Sequence, residues 1–304
     1  MEFLYLLESL RIPGLNEFML LITKLGEETA FLAAALVVFW CVNKQLGYYL
    51  MSVGFIGTMG NQFLKLWFRV PRPWVLDPEF TILEQAREAA AGYSFPSGHS
   101  QSSVGTFGAL AAGVKHKWVK AVCICVCILV PLSRMYIGVH TPADVLVGSG
   151  MALALVLALK TPILKHSDRA MKQILAVMLA MAIGLLLFVE KYPFPADVDE
   201  HNLASGVKNA YTMLGSIAGV SVVYVLDKKK LRFETEAVWW AQILKVVLGL
   251  GIVLAVKEGL RTPLDAMFAG HMAARAVRYF LIVLVAGGMW PVTFRWFAGF
   301  GVKK

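Results

Sequence analysis

Apolar residues in this chain come in long blocks, not in the short alternations of a half-buried sheet. Blocks fall at 27–42, 48–67, 99–114, 119–135, 142–160, 170–189, 205–226, 238–257 and 276–296. A helix that crosses a bilayer needs about 20 mostly apolar residues. In lipid, backbone polar groups are satisfied only within helices or closed barrels, and the alternating segments of a barrel are absent here. The pattern predicts an all-α fold, a polytopic transmembrane helical bundle of about nine spans. Residues 1–26 predict short interfacial helices, partly amphipathic and broken at Pro13-Gly14. Apolar residues at near-helical spacing over 74–91 predict one short surface helix. No linker separates soluble domains and no fixed-period repeat is evident, so residues 1–304 are expected to form a single membrane domain.

Composition strengthens the membrane reading. Of 304 residues, 58% are hydrophobic and 16% charged, against about 45–50% and 25% in soluble domains. The opening "MEFLYLLESLRIPG" carries Glu2 and Glu8 and no basic leader, so no removable signal peptide is expected. Cys41, Cys123, Cys125 and Cys127 all lie in apolar blocks. The last three are spaced by two, which points them in different directions on a helix, so they are expected to be packing residues.

The spans sort the loops onto two sides. One side collects 15 cations, including Lys44, Lys228, Lys229, Lys230, Arg232, Lys303 and Lys304, against four anions. The other holds 13 cations and 16 anions, Glu84, Glu88 and Asp199 among them. Three of those 13 cations are set aside below for chemistry, which leaves a bias of 15 to 10. That bias and the "DKKKLR" cluster at 227–232 place the first side in the cytoplasm. The net charge of +9 does not suggest nucleic acid, because the cations lie in short loops without interleaved aromatics. Anionic lipid head groups are the expected partners of the cytoplasmic clusters.

Three stretches then converge on the extracytoplasmic side. "KLWFRVPRP" ends the second span with Lys65, Arg72 and Pro73. "PSGH" at 96–99 opens the third, and "SRMYIGVHTPAD" at 133–144 joins the fourth to the fifth. Pro71 and Pro73 end the helix near Val70 and leave Arg72 on a stiff extended stretch. Arg72 and Arg134 offer planar forks for phosphate oxygens, and Lys65 offers a point charge. A helix starting at "PSGH" turns free N–H groups outward. Gly98 lets an anion approach the backbone, and Ser97 adds a hydroxyl donor. Thr141 suits a helix N-cap and Pro142 the first helical position, so Asp144 lies one turn in and can reach back to His140. A carboxylate that orients His140 leaves its other nitrogen free to attack, while His99 protonates the leaving oxygen and later activates water. Taken singly, these cations read as snorkelling side chains and these histidines as satisfied polar residues. Together they describe a phosphohistidine mechanism.

These residues resemble the PAP2 superfamily of acid phosphatases, whose pattern is K-x6-R-P, P-S-G-H and S-R-x5-H-x3-D. Here the parts are Lys65 to Pro73, Pro96 to His99, and Ser133 to Asp144, in that order and without departure. The resemblance implies a six-helix catalytic core over 27–189 and a helical extension over 190–304. It implies His140 as nucleophile, Asp144 as its orienting partner and His99 as general acid. Lys65, Arg72, Arg134, Ser97 and Gly98 would bind the phosphate. It implies no metal and no cofactor, in keeping with a single aspartate at the site. The substrate would be a lipid phosphate or pyrophosphate: undecaprenyl pyrophosphate, phosphatidate and phosphatidylglycerol phosphate are the candidates. A phosphotransferase using the same histidine and a non-catalytic lipid transporter or scaffold are the alternatives. Soluble haloperoxidases share the pocket, but nine apolar blocks set this chain apart from them.

Outside these motifs, Lys245 falls mid-span and reads either as a functional cation or as a packing residue paired with a carboxylate or carbonyl. "YPFPADVDEHNLASGVKN" at 192–209 reads as a lid or as a solvated loop. His271, Arg275 and Arg278, at helical spacing, read a head group or anchor the last span. Ser100, Ser102 and Ser103 gain no role beyond helix packing.

Overall fold

A computed structural model describes residues 1–300 other than 88, 89, 91 and 166. Glu88, Lys303 and Lys304 of the charge argument lie outside the described residues, as does part of the segment 74–91. Most of the described residues are helical and none lies in a strand. In order the helices are α1 (Glu2–Ser9), α2 (Pro13–Thr23), α3 (Glu28–Cys41), α4 (Lys44–Phe68), α5 (Pro73–Leu76), α6 (Gly98–Gly113), α7 (Lys117–Tyr136) and α8 (Pro142–Leu164). They continue with α9 (Asp168–Lys191), α10 (Glu200–Leu226), α11 (Trp239–Gly259), α12 (Arg261–Met267), α13 (Ala273–Leu284), α14 (Trp290–Val292) and α15 (Phe294–Ala298).

Among the described residues, six helices are long and apolar enough to cross a membrane: Lys117–Tyr136, Pro142–Leu164, Asp168–Lys191, Glu200–Leu231, Trp239–Met267 and Ala273–Val292. A seventh exists if Pro13–Gly26 and Glu28–Val42, bent by 56°, make one span. The expected spans at 48–67 and 99–114 form helices but do not meet that standard. Their polar residues explain why. α4 carries Gln45, Asn61 and Lys65, and the 16-residue α6 carries Ser100, Gln101, Ser102 and Ser103. Most of these polar side chains are buried against protein.

Two further expectations are corrected. The N-terminal break falls at 10–12, and Pro13 instead opens α2, where its missing N–H costs nothing. Segment 74–91 is not one helix: α5 ends at Leu76, Pro78 follows, and a 3-10 turn forms at Glu84–Ala86.

Compactness divides the chain into two units. The first comprises Met1–Ala34, Tyr49–Ser167 and Pro193–Gly206. Within it α6 packs against α7 and α8, and α2 lies along α7. Met19 of α2 joins Ala86, Ala90, Tyr136, Ile137 and Val139 in one apolar cluster beneath the residue-140 turn. Arg11 ties the N-terminal helices down by donating from Nε to the Tyr136 carbonyl at 3.0 Å. α8 approaches the start of α6 so closely that a Cβ on Gly148 would stand 2.5 Å from the Ser97 carbonyl oxygen. Glycine there lets the two motif-bearing helix starts meet.

The second unit comprises Ala35–Tyr48, Asp168–Tyr192 and Val207–Lys304. Lys245 is fully buried; its ammonium donates to the Thr235 carbonyl at 2.9 Å and lies 4.3 Å from the Phe294 ring centroid. A carbonyl and an aromatic face thus supply its partners. Lys44 and the buried Asp227 form an ion pair at 2.9 Å. Arg275 donates to Thr212 Oγ1 at 2.7 Å, Arg278 is buried, and His271 Nδ1 accepts the Ala273 N–H at the start of α13. All four cysteines are free thiols.

Candidate active site

The first motif is delivered by the end of α4. The helix stops at Phe68, two residues before the expected point, because Arg69 takes a left-handed conformation (φ 51°). Arg72 is then extended (φ −72°, ψ 157°) and Pro73 starts α5. Lys65, still on the last turn of α4, donates to the carbonyls of Tyr93 at 2.8 Å and Ser94 at 3.3 Å. Arg72 donates from Nε to the Gly92 carbonyl at 2.8 Å and from Nη1 to the Val139 carbonyl at 2.8 Å. The buried Arg72 and the half-buried Lys65 therefore hang from three successive carbonyls, 92 to 94.

The second motif starts α6. Ser97 is its N-cap, accepting the Ser100 N–H at 3.4 Å and the Ser100 hydroxyl at 2.8 Å. Its own hydroxyl proton is left for an anion. A Cβ on Gly98 would meet nothing closer than Asn61 Oδ1 at 3.7 Å. The fold leaves that side open. The His99 ring makes no hydrogen bond within the described residues, and the charges of Arg134, Arg72 and Lys65 all reach it.

The third motif behaves as its sequence implies. Thr141 caps α8, Pro142 opens it, and Asp144 completes a capping box, with the Thr141 N–H donating to Asp144 Oδ2 at 2.7 Å. His140 and Asp144 are both buried. Arg72 Nη1 lies 2.9 Å from His140 Nε2. A guanidinium only donates, so Nε2 holds the lone pair and Nδ1 the proton. Nδ1 faces Ser94 Oγ at 3.4 Å and Asp144 Oδ2 at 3.5 Å. The direct carboxylate contact is long, and the carboxylate's strongest partners are the Thr141 N–H and the Ser94 hydroxyl, which donates to Oδ2 at 2.5 Å. The Ser97 N–H donates to the Asp144 carbonyl at 2.9 Å, which joins the second motif to the third. Arg134 is buried on α7 and donates to Thr23 Oγ1 at 2.7 Å; its Nε has no partner among the described residues. Its charge is felt at His99 and His140.

The structure thus ties Lys65, Arg72, Ser97, His140 and Asp144 into one hydrogen-bonded neighbourhood and adds others. Ser94 bridges His140 and Asp144. Asn61, one helical turn before Lys65, donates to the Pro96 carbonyl at 3.3 Å. Ser100 orients the Ser97 hydroxyl and so is more than a packing residue. The available signal for Ser94 was a hydroxyl two residues before the proline of "PSGH"; for Asn61 it was an amide four residues before Lys65 in an apolar helix.

Comparison with known proteins agrees with this geometry. Residues 42–168 match the PAP2 superfamily, and residues 211–301 match the PAP2 superfamily phosphatase, transmembrane extension. Phosphatidylglycerophosphatase B of Bacillus subtilis (strain 168) is 30% identical over 164 residues, which span 50% of this chain and 76% of that protein. Undecaprenyl-diphosphatase of Sulfolobus acidocaldarius is 28% identical over 150 residues, 48% of this chain and 70% of that protein. A probable sphingosine-1-phosphate phosphatase of Dictyostelium discoideum is 29% identical over 165 residues, 50% of this chain and 39% of that protein. No solved structure gives a significant match. The chain belongs to the PAP2 superfamily, and these relatives are lipid phosphatases.

Proposed function

We propose that this protein hydrolyses a phosphomonoester or pyrophosphate on a membrane lipid through a phosphohistidine on His140. The observation that carries the reading is the clamp on His140: a buried imidazole with Nδ1 turned to Ser94 and Asp144 and Nε2 turned to the Arg72 fork. When a phosphate enters, Arg72 transfers its donors from Nε2 to a phosphate oxygen, which frees the lone pair for attack on phosphorus. Lys65 and Arg134 take further oxygens, and the Ser97 hydroxyl and the open side of Gly98 accept the remainder. As the P–O bond breaks, His99 gives its proton to the departing oxygen. It then removes a proton from the water that cleaves the phosphohistidine.

A lipid substrate is supported by the membrane-spanning helices and by the relatives, all named for phosphate-bearing lipids. The test is orthophosphate release by the purified full chain across monophosphate and diphosphate lipids, with His140→Ala as blank. Release from at least one lipid by the wild type alone is expected, unchanged by EDTA, because the site offers one carboxylate and the described residues hold no cluster of three His, Cys, Asp or Glu. Appearance of the phosphoryl group on an acceptor other than water would convert the reading to a transferase.

The proposed site faces the extracytoplasmic side, a reading supported by the charge bias of the loops. In a background without native cysteines, Glu84→Cys is expected to react with an impermeant maleimide on intact cells. Labelling only after permeabilisation would reverse the orientation.

A further inference from the structure

Residues 193–206, which lie between the two family matches, form part of the same compact unit as the three motifs. This segment is bonded to the loop that precedes the second motif. Asp199 lies at the start of α10, and its Oδ1 accepts the Asn202 backbone N–H at 2.7 Å and the Asn202 side-chain amide at 2.8 Å. That second bond settles which way the amide points. Its oxygen faces the Tyr93 N–H, which donates to Asn202 Oδ1 at 3.0 Å. The Tyr93 hydroxyl in turn accepts the Asp199 N–H at 3.0 Å. Gly92 has φ +91°, and a Cβ there would stand 2.2 Å from Asn202 Oδ1. Only glycine admits the amide.

The peptide unit from Gly92 to Tyr93 is therefore gripped at both edges. Its N–H is held by Asn202, and its carbonyl is held by Arg72 Nε at 2.8 Å. A peptide is a rigid plane, so turning one edge turns the other. The next two carbonyls in the same loop hold Lys65. We infer that Asn202 is a positioning residue for phosphate binding, acting on Arg72 through the Gly92–Tyr93 peptide. This inference rests on the hydrolytic reading above. It assigns a role to a residue outside both matched segments, at the start of the helix that leads into the extension.

If Asn202 acts through Arg72, its loss should matter only while the Arg72 fork is present. A double-mutant cycle tests this: Asn202→Ala, Arg72→Lys and the pair, in the full chain. Arg72→Lys keeps a charge but has no Nε to take the Gly92 carbonyl. Asn202→Ala alone is expected to lower kcat/KM about tenfold to a hundredfold, the size of effect that a misplacement of about 1 Å brings. In the Arg72→Lys background it should cost less than about threefold, given the usual additivity error of remote, independent sites. Exchanging the pair, Asp199→Asn with Asn202→Asp, keeps an acceptor for Tyr93 and a donor between the two side chains. It should return kcat/KM to within a fewfold of wild type.

Equal losses from Asn202→Ala in both backgrounds, or no loss in the wild type, would overturn the inference. If the alanine variant is not recovered folded, Asn202→Leu fills nearly the same volume without the acceptor and enters the same cycle. The affinity for inorganic phosphate, measured by calorimetry on the same four proteins, keeps the two proposals apart. Inactivity of the wild type on every lipid would end the hydrolytic reading. The same Arg72-dependent pattern in phosphate affinity would still uphold the positioning role, and additive effects there would end it.

Discussion

Replacing His140 by alanine is expected to lower phosphate release by at least about 10⁴-fold, in line with removal of the nucleophile from other enzymes that act through a covalent intermediate. The expectation follows from where the imidazole sits. It is 2% exposed, and its Nε2 meets the Arg72 fork. Burial, and then the charges of Arg72, Arg134, Lys65 and His99, hold the His140 pKa well below the ordinary histidine value. The sign is clear. A lowered pKa means the neutral, attacking form persists as pH falls, so the nucleophile should not impose an acid limb on kcat/KM near 6.5. Arg72 itself, lowered by burial to about 10, stays cationic at neutral pH. Arg72→Gln removes one of the charges that disfavour imidazolium, so it should move any acid limb due to His140 to higher pH as well as weaken binding. Wild-type rates from His140→Ala would refute the covalent mechanism. An acid limb that moves to lower pH in Arg72→Gln would refute this electrostatic account of His140.

What could be read from the sequence was the chemistry contributed by neighbours in the chain. Thr141, Pro142 and Asp144 form a helix start by local rules alone, and they do so in the structure. The helix start at "PSGH" and Arg72 on an extended stretch between prolines are local in the same sense. The three motifs could be grouped because each carries a charge or a histidine that an apolar chain tolerates only for a reason. Ser94, Asn61 and Asn202 escaped because their meaning lies in partners far along the chain. Ser94 meets Asp144 fifty residues on, and Asn202 meets Tyr93 across 109 residues. A neutral hydroxyl or amide carries no such signal until the partner is known.

The difference between about nine expected spans and the six that meet the length and hydropathy standard among the described residues has a related cause. Hydropathy treats every polar residue as a cost, yet α4 and α6 turn theirs toward protein and use them for hydrogen bonds. Their length or polarity then falls short of a free-standing span even though both are helices. The N-terminal break was misplaced because Pro-Gly reads as a turn, whereas proline in the first helical turn is a start. In each case the local rule was sound, and tertiary packing decided which rule applied.

Loss of His99 is expected to separate two chemical steps that loss of His140 abolishes together. His99 stands second in α6, beside the open side of Gly98, with a ring unspent on hydrogen bonds within the described residues. As general acid it should be worth about 10²–10⁴-fold on a lipid monophosphate, whose alkoxide leaves badly without a proton. The penalty should shrink on p-nitrophenyl phosphate, because a phenolate of low pKa leaves unprotonated. It should be intermediate on a lipid diphosphate, whose leaving group is itself a phosphate. On the aryl ester, His99→Ala should therefore still form the phosphohistidine but hydrolyse it slowly, for want of a base to activate water. Rapid mixing should then show a burst of nitrophenol approaching one equivalent of enzyme, followed by slow turnover. His140→Ala should show neither phase. An equal loss on all three substrates with no burst would remove His99 from proton transfer. It would leave the residue as one more support for the phosphate, and the acid would then have to be sought elsewhere in the pocket.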